Sequence, residues 1–302
     1  MNLKPNMNHL LKKILTLKNM KTSNKLLIAL AISLIIIPIV VIAVTVKMNY
    51  GDAKSMVAKN KTINSFATPS EGYTSTEIAK AFTAINIADG KGMFLNIQLV
   101  KDSKSGIKIT SNDKDAISFK VDENGVLQMS IKEIVKGASS YSSVIIYSPN
   151  FTSVSMAKGR GLSLKTNVDS LLINADSMED VSISSESKMN KLTAVANDIS
   201  RLNFSNNLNV AFVDLNLKDS NLESEWASYK SLKINAEGNS NIDISGQNEN
   251  ADKFQIDNLY IKTSGKSDLK LENIKVIKSS GSLSDSTSVT MSASILKTMF
   301  NK

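Results

Sequence analysis

Five windows of the sequence repeat one apolar spacing about every twenty residues, and that repetition leaves the chain few architectures. SLLINADSMEDVSI (170–183), KLTAVANDISRLNF (191–204), FVDLNLKDSNLESE (212–225), SLKINAEGNSNIDI (231–244) and NLYIKTSGKSDLKL (258–271) share apolar second and fourth positions. Four of them repeat the apolar pair at positions twelve and fourteen, as Val181/Ile183, Leu202/Phe204, Ile242/Ile244 and Leu269/Leu271. The third window slips, placing Leu222 one position early and following it with Glu223 and Glu225. A smaller residue recurs at position six, as Ala175, Ala196, Ala236 and Thr263, with Leu217 the exception. Successive starts differ by 21, 21, 19 and 27 residues, the last stretched by the polar insert Gln247 to Asp252. A period of two marks strands with one buried face, and a unit of two short strands cannot bury that face alone. The spacing therefore predicts an all-β, single-chain β-solenoid whose Leu, Ile and Val columns point inward. A β-sandwich, with strands every 8 to 12 residues, is the alternative, but it gives no reason for columns to match across rungs.

Upstream the same alternation predicts strands at 84–87, 93–99, 106–109, 117–121, 126–131 and 143–148, separated by Asp, Asn, Ser and Gly turns. Residues 82–302 are thus read as the β-repeat domain. Residues 47–81 are polar and aperiodic and read as a linker, with one short helix near Ser75 to Phe82. Ser279 to Lys302 carries a strand signal at 288–292 and then Ile295, Leu296, Met299 and Phe300 at helical spacing, which suits a cap over an open end.

Leu26 to Val46 is 21 residues without a charge, enough at about 1.5 Å per residue to cross a bilayer as a helix. Pro38 in its middle is tolerated in membrane helices, where neighbouring groups satisfy the freed carbonyl. A signal peptide cut near Val41-x-Ala43 is the rival reading, although the apolar run exceeds the usual length of such a segment. The charges agree with an anchor. Residues 1–47 hold seven Lys and no acid, while the other 255 residues carry 29 basic and 28 acidic groups. Six of those lysines precede the helix, so the positive-inside rule places a basic stub, residues 1–25, in the cytoplasm and everything after residue 46 outside. The stub's Leu10, Leu11, Ile14, Leu15 and Leu17, interleaved with lysines, suit an anionic inner leaflet. The near-neutral balance of the β-repeat region argues against nucleic acid as a partner.

With no Cys and a single His, at position 9 in the stub, thiolate, disulfide and imidazole chemistry are excluded from the β region. No cofactor or metal site is expected, and the Gly-rich calcium nonapeptide and phosphate-loop spacings are absent. Acids in the turns, among them Asp180 and Asp268, read mainly as solvated turn residues. A pair of them on one face would suit a sugar-cleaving enzyme, which is the alternative function. Trp226 and Tyr229, between two windows, and Tyr260, at an outward position, supply the aromatic side of a ligand surface. Trp226, Tyr229, Tyr260, Asp180 and Asp268 are accordingly the candidate ligand-binding residues.

Phe82-Thr83-Ala84-Ile85-Asn86-Ile87, Asn124-Gly125-Val126-Leu127, the strand Val144 to Ser148 with Pro149 leading to Val154, the turn Lys158-Gly159-Arg160-Gly161 and the windows above together resemble one family. It is the putative adhesin, or auto-transporter adhesin head GIN domain, family of bacterial envelope proteins, and the resemblance covers roughly residues 82–300. It implies a right-handed parallel β-helix outside the cytoplasmic membrane with no catalytic residues to carry over. This chain departs from the family in having a long anchor in place of the usual secretion signal. The expected function is a non-catalytic, membrane-anchored envelope protein that binds or spaces glycan or protein.

Overall fold

The computed structural model describes residues 21–49, 65–132, 140–204, 206–247 and 253–300. Residues 1–20 of the basic stub, residues 50–64 of the linker and residues 248–252 of the polar insert lie outside the described residues. The chain divides into two units, Met1–Ala58 and Lys59–Lys302.

The first unit contains helix α1 (Thr22–Asn49), with Pro38 inside it. Its segment Thr22–Thr45 is long and apolar enough to cross a membrane, and its apolar side chains are exposed. Two hydroxyls are satisfied within the helix, Ser33 Oγ donating to the Leu30 carbonyl and Thr45 Oγ1 to that of Val41. Such bonding to the preceding turn removes the cost of placing a polar group in lipid.

The second unit is mostly strand. Its first part holds β1 (Tyr73–Glu77), β2 (Ala84–Ile87), β3 (Phe94–Lys101), β4 (Gly106–Thr110), β5 (Ile117–Val121), β6 (Val126–Ile131), β7 (Tyr141–Ser148), β8 (Ser153–Ala157) and β9 (Gly161–Thr166). The repeat follows as β10 (Ser170–Ile183), β11 (Lys188–Phe204), β12 (Asn209–Lys218), β13 (Leu222–Glu225), β14 (Tyr229–Glu237), β15 (Ser240–Ser245), β16 (Gln255–Ser264), β17 (Ser267–Glu272), β18 (Lys275–Ser282) and β19 (Thr287–Thr290), closed by helix α2 (Ala293–Phe300).

Two parallel ladders run through the repeat. In the first, Leu171, Leu192, Val213, Leu232 and Leu259 are register neighbours, as are Ile173, Ala194, Leu215, Ile234 and Ile261. In the second, Val181 is followed by Leu202, Leu222, Ile242 and Leu269. All of these side chains are buried in one contiguous core. The apolar columns read from the sequence are therefore the columns that pair, and they pair in parallel, whereas the sandwich alternative rests on antiparallel neighbours. Each buried Leu or Ile contributes about 1.5–3 kcal/mol, so stacking the columns is the main driving force of the unit.

Between the two ladders the chain turns through a stacked corner. Ser177, Asp198, Asp219, Gly238 and Gly265 all have positive φ, between 48° and 104°. Their sequence separations of 21, 21, 19 and 27 residues are those of the windows. The small residues at window position six precede this corner, where the backbone folds back on itself. Just beyond it, buried Ser220 and Ser240 satisfy turning backbone. Ser220 Oγ accepts from the Ile199 N–H at 3.0 Å, and Ser240 Oγ accepts from the Ser220 N–H at 3.2 Å. The third window's slip is resolved here. Ala196 pairs with Leu217, 21 residues on, but Leu202 pairs with Leu222, only 20 on, so one residue is lost at the corner and the second ladder stays in register.

The structure corrects the helix expected near Ser75 to Phe82. Strand β1 lies there instead, antiparallel to β4, which is itself antiparallel to β7. Its Tyr73, Thr74 and Thr76 suit a pleated surface better than a helix, and the sheet edge they complete is what a local reading lacks. The segment from Ser65 to Ser70, inside the stretch read as linker, covers the other face of β7. Phe66 meets Tyr147 edge to face at 5.4 Å, and its N–H donates to Asp102 at 2.9 Å. The Lys108 ammonium is buried beneath this segment, donating to the Ser65 and Thr68 carbonyls at 2.7 Å each and to Ser70 Oγ at 3.0 Å. Burial pushes its pKa down, opposed by the charge of Asp102.

At the other end, Ile295 and Met299 of α2 are buried, and Ser279 of β18 donates to the Ile295 carbonyl at 2.9 Å. The expected apolar helical end is thus a docked helix, preceded by β19.

Candidate functional site

The second corner, at the end of the second ladder, stacks Glu225, Ser245 and Glu272 in register, followed by Trp226, Gly246 and Asn273. The backbone bonds are tight: the Trp226 N–H donates to Ser245 at 2.8 Å and the Gly246 N–H to Glu272 at 2.9 Å. An open cleft of about 520 Å³ lies along this corner, lined by Glu225, Trp226, Ser245, Lys270, Glu272 and Asn273 among others.

Each lining group has a structural reason for its position. Trp226 has φ +52° and Asn273 φ +53°, while Gly246, between them in the stack, is required by close approach, since a Cβ there would lie 1.8 Å from the Asn273 carbonyl oxygen. Trp226 is 37% exposed and lines the cleft. Lys270 is held between Glu272 at 3.2 Å and Asp243 at 3.3 Å, and hydrogen bonds to these two carboxylates, Glu272 foremost, raise its pKa. Its ammonium is engaged within the cleft wall, which leaves a surface rich in oxygen acceptors beside an indole.

The sequence candidates do not converge. Trp226 is on the cleft. Tyr229 is 2% exposed, and its phenol is 2.7 Å from Ser224 Oγ inside the core, where no ligand reaches it. Burial pushes the Tyr229 pKa up to about 12, partly offset by that hydrogen bond. Ser224 stands in the column of Ile183, Phe204, Ile244 and Leu271, so Tyr229 restores the bulk that a serine there omits. Tyr260 is 36% exposed on the first ladder, between Lys233 and Ser280. Asp180 pairs with Arg201, whose Nε is 3.0 Å away, and Asp268 is exposed on β17. Asp180 and Asp268 each precede a member of the column Val181, Leu202, Leu222, Ile242 and Leu269, so they lie four strand spacings apart, about 19 Å at about 4.8 Å each. That exceeds the roughly 5–10 Å separating the acids of glycosidases, so they do not form a catalytic pair. Among the described residues no group of three or more His, Cys, Asp or Glu is placed to hold a metal ion.

The Ser224–Tyr229 pair gives a double-mutant prediction. Tyr229→Phe leaves a buried serine hydroxyl without this partner and costs about 1–3 kcal/mol in urea unfolding, whereas adding Ser224→Ala recovers most of that loss. Equal, additive losses for the two changes would show that the hydroxyls do not depend on each other.

Sequence reading missed Ser245, Lys270, Glu272 and Asn273. The signal was present, because Glu225, Ser245 and Glu272 follow the repeat spacing, but the residue lost at the first corner of the third window shifted Glu225 out of alignment with the other two.

Comparison with known proteins adds the lineage. Residues 81–252 match the family model described as putative auto-transporter adhesin, head GIN domain. No curated protein matches the chain. Among solved structures, a putative adhesin from Bacteroides fragilis NCTC 9343 is similar at 16% identity over 74% of this chain and 97% of its own, with a TM-score of 0.48. A putative adhesin from Parabacteroides merdae ATCC 43184 is similar at 15% identity over 73% of this chain and 93% of its own, with a TM-score of 0.38. A putative lipid binding protein from Parabacteroides distasonis ATCC 8503 is similar at 12% identity over 73% and 94%, also with a TM-score of 0.38. With its family match spanning more than half of its length and its apolar columns paired strand by strand, the chain belongs to the family of putative auto-transporter adhesins with a head GIN domain.

Proposed function

We propose that this chain is a single-pass, non-catalytic protein of the bacterial cell envelope, with a β-solenoid ectodomain that binds or spaces an envelope glycan or protein. In this reading residues 26–46 cross the cytoplasmic membrane, the basic stub 1–25 lies inside, the linker ends before Ser65, where the chain joins the β unit, and the repeat from β10 onward coils as a right-handed parallel β-helix outside. The observation that carries it is the pair of parallel ladders, a stiff scaffold whose outward faces are polar, in a chain that also holds a membrane-length apolar helix. Trp226, Tyr260, Asp180 and Asp268 are outward-facing features of that scaffold, and Trp226 is the one set in a cleft.

Both halves can be tested in cells. Because the native chain has no cysteine, a lone Asn216→Cys is a specific handle, and a membrane-impermeant maleimide should label it in intact spheroplasts. Labelling only after lysis would reverse the topology. Sedimentation of the detergent-solubilised chain with cell-wall polysaccharide and with envelope protein extract tests the binding half. Failure to sediment with either removes the adhesive part.

A further inference from the structure

Trp226 is the single tryptophan of the chain, and it occupies the left-handed backbone region that a bulky side chain rarely adopts. In the same stack Asn273 also takes this conformation, and asparagine is a residue type for which it is less costly. Strain of this kind persists where surrounding structure holds it and concentrates at binding sites. The indole is also more than a core lid, being over one-third exposed on the cleft. Around it the wall is hydrogen-bonding: carboxylates from Glu225 and Glu272, the Asn273 amide and the Ser245 hydroxyl. Among the described residues lining the cleft the cation is Lys270, which Asp243 and Glu272 share, so carboxylates outnumber it.

We infer that this cleft binds a neutral or amino saccharide, with the apolar face of one sugar ring on the Trp226 indole and its hydroxyl or amine groups donating to Glu225 and Glu272. The inference rests on the reading above that the ectodomain engages an envelope component, and it names the chemistry of that component. A sugar ring has one face of C–H groups and an edge of hydroxyls, which is what an exposed indole beside planar acceptors complements. Glu225, together with the Asp243 and Glu272 carboxylates that share the single charge of Lys270, leaves the wall net negative and disfavours phosphate-rich or uronic-acid polymers, and the polar wall does not suit an acyl chain. Asn273 lines the same cleft after the next strand but one.

The lone tryptophan makes the test direct, because its emission reports this cleft alone. The full chain is held in a zwitterionic, sugar-free detergent and titrated with cellotetraose, chitotetraose, the de-N-acetylated chitotetraose and, as the anionic comparison, tetragalacturonate. The expected result is a saturable change in emission with at least one of the first three and none with the last. Trp226→Asn, which places there the residue the stack already holds at 273, should weaken calorimetric binding by about tenfold or more while leaving circular dichroism and Tm unchanged. Phe212→Ala, at an exposed aromatic that does not line the cleft, should bind as the native chain does. No emission change with the neutral or amino tetrasaccharides at about 10 mM, a concentration at which even a millimolar site is filled, overturns the inference. If Trp226→Asn still sediments with cell-wall polysaccharide like the native chain, the ectodomain binds glycan elsewhere and the site alone is lost. If neither protein sediments with polysaccharide or envelope protein, the broader binding role fails as well.

Discussion

Leu215→Asp should unfold the β unit under conditions in which the native chain is folded. Leu215 is fully buried at the middle of the first ladder, with Ala194 and Ile234 as its register neighbours. Removing a buried leucine side chain costs about 2–5 kcal/mol through lost transfer energy and the cavity left behind. The aspartate then adds several kcal/mol more, as a buried charge or as an acid whose pKa is forced upward. The sum, on the order of 5 kcal/mol or more, is comparable to the whole stability of many domains. Stacked repeats contact only their neighbours, so a break in the middle uncouples the strands on either side. Urea unfolding followed by Trp226 emission and by circular dichroism gives the measurement. Asn216→Asp, one residue along and outward-facing, keeps an acceptor for the Asn235 amide at 2.9 Å and should change stability by no more than about 0.5 kcal/mol. Similar effects from the two substitutions would mean that the alternation does not separate core from surface.

Gly246→Ala is expected to be the most damaging single methyl in the chain's second corner. A Cβ there would sit 1.8 Å from the Asn273 carbonyl oxygen and 2.8 Å from its carbon, both backbone atoms of the adjoining strand. Neither can rotate away, so β17 and the turn after it must shift, at a cost of about 3 kcal/mol or more. The same shift displaces the cleft wall beside Trp226, so the emission spectrum should change as well as the midpoint. Gly72→Ala is the contrasting case. Gly72 has φ +77° but nothing within 4 Å of a built Cβ, so only the backbone preference is lost, about 1 kcal/mol. Equal effects at the two glycines would show that the strands at the second corner do not approach as closely as described.

Much of this was legible in the residues because apolar alternation and repeat spacing are local signals that tertiary packing reinforces. The windows located the two ladders and the inward columns, and the helical spacing of Ile295, Leu296, Met299 and Phe300 located the docked end helix. Four things escaped for physical reasons. β1 is held by pairing with β4 about thirty residues away, which no local pattern in 73–77 announces. The burial of Lys108 depends on a polar segment folding over it, so its charge alone argued for solvent. Tyr229 looked like a surface aromatic beside Trp226, but the serine at 224 left room in the core that a neighbouring ring fills. The cleft itself was hidden by a one-residue contraction, since reading Glu225, Ser245 and Glu272 as one row requires knowing that the corner before β13 is shorter than its counterparts.

The most direct test of the stacked, in-register columns is a spin-label distance between Asp180→Cys and Asp268→Cys in the full chain, which has no native cysteine to interfere. Four strand spacings along the second ladder predict a narrow distribution centred near 20 Å, allowing for the label arms. A broad distribution, or one centred beyond about 30 Å, would contradict parallel stacking of the repeat and, with it, the corner that forms the cleft.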